Sequence, residues 1–130
     1  MNTDQTRMNS LAHEELTQEI IGAAFEVHNT LGYGFLERVY QKAMQAELIG
    51  RGLTAEIEHP VKVSYKGSTV GEYFADLLVE NSVIVELKIA TEYNPKDEPQ
   101  LLNELKATGI KIGLLINFGR TKVGFKRLVY

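Results

Sequence analysis

The apolar residues change their spacing at Ala55, and that change dictates a chain with two helices first and a sheet after them. Upstream, Ile20, Ile21, Ala24, Phe25, Val27, His28 and Leu31 recur at helical intervals. They predict a first helix from about Leu16 to Leu31, with Gly32 as a left-handed cap. Val39, Tyr40, Ala43, Met44 and Leu48 predict a second helix, about Leu36 to Arg51, ended by Gly50 and Gly52. Downstream, Ala55 to Tyr65 and Thr69 to Val79 read as strands joined at Lys66-Gly67. Glu80-Asn81 signals the next turn, and Ser82 to Ala90 is β-branched and too short for a helix. A polar loop with Pro95 and Pro99 leads to a helix from about Glu98 to Thr108, closed by Gly109. Lys111 to Asn117 reads as a buried strand and Lys122 to Tyr130 as an edge strand. The expected order is ααβββαββ: one α/β domain over 1–130, a small mixed β-sheet flanked by helices, with residues 1–15 a loosely ordered extension.

Composition narrows the chemistry. The 130 residues are 44% hydrophobic and 24% charged, enough apolar surface for one core. Without cysteine there is no disulfide framework, zinc–thiolate site or cysteine nucleophile. The opening MNTDQTRMNSLAHEEL lacks the apolar core of a secretion signal, and no run approaches the ~18 apolar residues of a membrane span. A cytoplasmic protein with no membrane partner is the expectation. The net charge of −3 divides unevenly: 1–87 carry 6 Lys/Arg against 13 Asp/Glu, and 88–130 carry 8 against 4. A basic last third beside an acidic body permits a phosphate-binding face, and fits an ordinary solvated surface equally well.

Asp76, Glu86 and Lys88 are the informative residues. Glu86 and Lys88 lie two apart on one strand and share a face, with Val85, Leu87 and Ile89 on the other. A turn centred on Asn81 sets Asp76 across from Glu86, roughly 5 Å away. Two such acids amid apolar strands repel and lose hydration, so a hard divalent cation with oxygen ligands is the natural compensation. With Lys88 alongside, the set is a minimal apparatus for phosphodiester hydrolysis. The plain alternative is a Glu-x-Lys pair on an exposed strand.

Several blocks together resemble the GxxExxY proteins, a group within the PD-(D/E)XK nuclease superfamily. The namesake pattern stands at Gly34-Phe35-Leu36-Glu37-Arg38-Val39-Tyr40, within IIGAAFEVHNTLGYGFLERVYQKAM, followed by YFADLLVENSVIVELKIA and QLLNELKATGIKIGLLINFG. The resemblance implies a restriction-endonuclease-like core in which Asp76 and Glu86 bind Mg2+ or Mn2+, helped by the Leu87 carbonyl, with Lys88 catalytic. A helical acid that often completes such sites maps onto Glu37. Gln100 takes the place of the glutamine in a Q-x-x-x-Y element, whose tyrosine is Glu104 here, and the proline of "PD" is Ala75.

Beside these, Tyr40 is a candidate substrate contact, with core packing the alternative. His28, late in its helix, is a candidate ligand or phosphate contact, with capping the alternative. Gln100 is a candidate for holding a phosphate or the attacking water. Arg120, Lys122, Lys126 and Arg127 are among the cations able to neutralise a nucleic-acid backbone. The leading expectation is a metal-dependent nuclease acting on DNA. The alternative is a non-catalytic nucleic-acid-binding or protein-interaction module on the same fold. A homodimer through the C-terminal strand is compatible with both.

Overall fold

The computed structural model describes residues 3–130, with side chains from His13 onward. The elements run α1 (Thr3–Leu31), α2 (Glu37–Gly50), β1 (Ala55–Tyr65), β2 (Ser68–Val79) and β3 (Val83–Lys88). A 3-10 turn (Pro95–Asp97) then precedes α3 (Glu98–Thr108), β4 (Ile112–Phe118) and β5 (Val123–Val129). This is the expected order. One boundary differs widely: α1 begins at Thr3 instead of near Leu16, so most of the stretch expected as a loose extension is helical. The physical reason is propensity. Residues 3–15 contain no Gly or Pro and carry Gln5, Arg7, Met8, Leu11, Ala12, Glu14 and Glu15, all good helix formers.

The five strands form one sheet in the order β1-β2-β3-β4-β5. β3 and β4 are parallel, linked by α3, and the other neighbours are antiparallel. β5 is an edge strand, as its alternating pattern predicts. Among the described residues, no helix is long and apolar enough to cross a membrane.

Helices cover both faces of the sheet. On one, Ile20, Ala24, Tyr40, Met44 and Leu48 of α1 and α2 pack on Leu77, Val85, Leu87, Leu114 and Ile116. On the other, Leu101 and Leu105 of α3 pack on Leu78, Ile84 and Leu115. Each fully buried side chain of this size contributes about 1.5–3 kcal/mol, far more than helix propensity supplies per residue. Gly113 lets α3 come close, because a Cβ there would lie 2.9 Å from Leu101.

β1 and β2 change faces midway. In β2, Ala75 packs with α3, yet Leu77 packs with α1 and α2. In β1, Val61 and Ile57 divide in the same way. Strict alternation would put each of these pairs on one face. The reversal falls at Glu58, which has φ 53°, and at Asp76 opposite it; Ile57–Leu77 and His59–Ala75 pair on either side in unchanged register.

Candidate metal and nuclease site

The β2–β3 register is the one expected from the Asn81 turn: Leu77 pairs Val85, Leu78 pairs Ile84 and Val79 pairs Val83. Asp76 and Glu86 do not continue this ladder as a backbone pair. Their side chains take it over. The Leu87 N–H donates to Asp76 Oδ2 at 2.8 Å, and the Asp76 N–H donates to Glu86 Oε1 at 3.3 Å. Each acid therefore replaces a ladder bond that the parting strands leave unmade. In an extended strand, N–H and C=O of one residue point to the same side, so the Leu87 carbonyl also faces Asp76.

Two helices deliver further groups. Glu37, in the first turn of α2, brings its carboxyl close enough to Asp76 for the two acids to perturb each other. Partial desolvation first, then the Asp76 charge, raises its pKa above the ordinary glutamate value, while Lys88 draws it down. One turn later, Gln41 Nε2 donates to the Asp76 carbonyl at 3.0 Å. Glu37 and Gln41 thus address the same residue from one helix face.

From the other side of the sheet α3 delivers Glu104, which is completely buried. Its Oε2 accepts from Gln100 Nε2 at 3.1 Å, and its Oε1 has no hydrogen-bond partner among the described residues. Glu86 is itself only 5% exposed. Burial, then the neighbouring Glu104, then Asp76 push the Glu86 carboxyl up to about 11, so it holds a proton at neutral pH unless a cation offsets the crowding.

The structure therefore brings Asp76, Glu86, Glu37 and Lys88 into one cluster, with Gln100 exposed at its edge. It does not bring Tyr40 or His28 there. Tyr40 is fully buried, stacked on Phe118 with ring centroids 4.7 Å apart, and its hydroxyl donates to the Gly32 carbonyl. It is closed to any substrate: the apolar run around it wins. His28 Nε2 lies 2.7 Å from the Gly119 carbonyl and its ring stacks over Phe118, joining the end of α1 to the β4–β5 turn.

Three contributors escape sequence reasoning. Gln41 and Glu104 carry a weak signal, each a polar side chain at a buried position of an amphipathic helix. Asn117 carries less. Buried at the end of β4, its side chain accepts from the Ala90 N–H and donates to the Ala90 carbonyl, both at 3.0 Å. That clasp extends the β3–β4 pairing past Lys88, which is in register with Asn117.

A cleft of about 600 Å3 opens where these two parallel strands end, lined by Thr91, Tyr93, Asn117, Arg120 and Lys122 among others. Tyr93 donates to Glu98 Oε2 at 2.7 Å, and Lys126 lies 3.3 Å from the same carboxylate, which fixes the loop beside the cleft.

As donors, the cluster suits a hard divalent cation: carboxylate oxygens crowded together, one of them forced to carry a proton, and another buried without a partner. Among the described residues, however, no three His, Cys, Asp or Glu side chains stand close enough to enclose a metal as placed. The chemistry of the set fits, and the side chains rest more widely spaced than a filled coordination shell.

Over residues 14–128 the chain matches the family model of the PD-(D/E)XK nuclease superfamily, and it belongs to that superfamily. The crystal structure of SSO0001 is similar in fold, with a TM-score of 0.58 at 16% identity over 71% of this chain. The match spans 48% of SSO0001, about half the length of that protein. None of the curated proteins compared matches this chain.

Proposed function

We propose that this protein is a divalent-metal-dependent nuclease of the GxxExxY group that hydrolyses DNA phosphodiester bonds. The observation that carries the reading is the exchange between Asp76 and Glu86, with Glu37 and Lys88 gathered beside it. Asp76, Glu86, Glu37 and the Leu87 carbonyl would hold Mg2+ or Mn2+. When bound, such an ion polarises the scissile phosphate and lowers the pKa of water. Lys88 stabilises the negative charge that develops on the phosphate oxygens or orients the attacking water. Gln100 contacts substrate at the edge of the cluster. Arg120 and Lys122 attract the neighbouring phosphates into the cleft past the strand ends.

The test is cleavage of single- and double-stranded DNA with Mg2+ or Mn2+, comparing the wild type with Lys88→Ala. Metal-dependent cutting that the substitution abolishes supports the reading. Equal, negligible cutting by both proteins sinks it.

One observation favours a second reading, a nucleic-acid-binding or interaction module without catalysis. The acids do not enclose a metal as placed, and a fourth acid, Glu104, crowds Glu86. Such a module would bind DNA independently of Mn2+. A second copy joined through the β5 edge is compatible with either reading, and sedimentation tests it. The proposed setting is the cytoplasm.

A further inference from the structure

The most unusual side chain outside the D…E-x-K set is Glu104. It lies in the middle of α3, where backbone N–H groups are already engaged within the helix, so no free amide is at hand to hold a carboxylate. Its neighbours on α3, Leu101 and Leu105, are buried and apolar and offer no side-chain donor. Gln100, one turn earlier, bonds one of its oxygens, and the other has no hydrogen-bond partner among the described residues although Glu104 is wholly buried. The Glu86 carboxyl is close enough that Glu104 helps to raise its pKa. A purely structural role is better served by an apolar residue, which fills the same volume without the cost of burying a second acid beside Glu86.

We propose that Glu104 is an oxygen donor to the divalent cation, contributed by α3 to the Glu86 side of the site while α2 contributes Glu37 to the Asp76 side. This inference rests on the metal-dependent reading above and adds a ligand to it. It also gives Gln100 a second task, orienting Glu104 through the one oxygen it holds.

The experiment is Mn2+ binding to the full chain by calorimetry at neutral pH, for wild type, Asp76→Asn and Glu104→Gln. Glutamine keeps the shape, and its amide can bond both Gln100 and Glu86, so the variant retains its fold. The expected result is that Glu104→Gln weakens Mn2+ binding at least tenfold without lowering the metal-free Tm. Wild-type affinity in a folded Glu104→Gln protein overturns the inference. A second measurement needs no variant: in glutamate-labelled wild type, the Glu104 carboxyl carbon should shift on adding Mg2+ as far as that of Glu86. A stationary resonance also overturns it. If wild type binds no Mn2+, the nuclease reading fails and takes this inference with it. If binding is lost in Asp76→Asn and kept in Glu104→Gln, the inference alone fails.

Discussion

Asp76 and Glu86 hold each other's strands: the Asp76 carboxylate takes the amide of Leu87, and the Glu86 carboxylate takes the amide of Asp76. The two acids are thus fixed by backbone donors while remaining electrostatically crowded. Structure and charge pull in opposite directions here, and the consequences are measurable.

The first concerns pH. The Glu86 carboxyl is raised from the ordinary 4.5 to about 11, so the folded protein binds a proton that the unfolded chain releases. A raised pKa gives stability that is fully present below the unfolded value and is lost as pH climbs toward the folded one. In chelator, unfolding free energy should therefore fall between about pH 6 and pH 9, by at most about 1.4 kcal/mol per unit from this group. Glu86→Gln should flatten the slope. Denaturant titrations at several pH values check this, and an equal slope in both proteins contradicts the assignment.

The same proton opposes metal. Binding requires an ionised Glu86, so Mn2+ affinity should rise steeply with pH, up to about tenfold per unit below the pKa. Calorimetry in two buffers of different ionisation enthalpy should reveal proton release. Uptake of metal with no proton change would argue against Glu86 as a ligand.

Lys88 should separate chemistry from binding. Lys88→Ala should lower the cleavage rate by about 100-fold or more while Mn2+ affinity stays near wild type, since a transition-state charge stabiliser acts on the rate. A variant that loses metal and activity together would place Lys88 in the scaffold instead.

Asn117→Ala should destabilise the protein by about 1–3 kcal/mol, because it strands the buried Ala90 amide and carbonyl that the side chain satisfies. Lys88 sits two residues before that clasp, so cleavage should fall as well. Tyr40→Phe is the contrasting case: a loss of about 1 kcal/mol from the missing bond to Gly32, with unchanged cleavage. Urea unfolding read beside the nuclease assay distinguishes the two.

Much of the architecture was legible because apolar periodicity and turn chemistry agree. The Lys66-Gly67 and Glu80-Asn81 turns, all four residues at positive φ, set the strand registers, and the second register brought Asp76 near Glu86. Glu37 was reachable only through its motif. What stayed hidden depends on contacts between segments distant in sequence. Nothing near Asn117 says that it will clasp Ala90, and nothing near Glu104 says that it will meet Glu86 on the face that α3 covers. The face change at Glu58 was equally invisible, since a left-handed glutamate leaves no mark on composition. The early start of α1 left a different kind of signal: the stretch before Leu16 has helix formers and no Gly or Pro, but too few apolar residues to show a helical stripe.

The reversal at Glu58 and Asp76 has a mechanical corollary. The outer part of the first hairpin is glued to α3 and the inner part to α1 and α2, so Asp76 occupies the seam between two packed blocks. A ligand gripping Asp76 and Glu86 together would rivet that seam. Amide exchange in the hairpin, far from any solvent-facing end of the cluster, should slow when it binds.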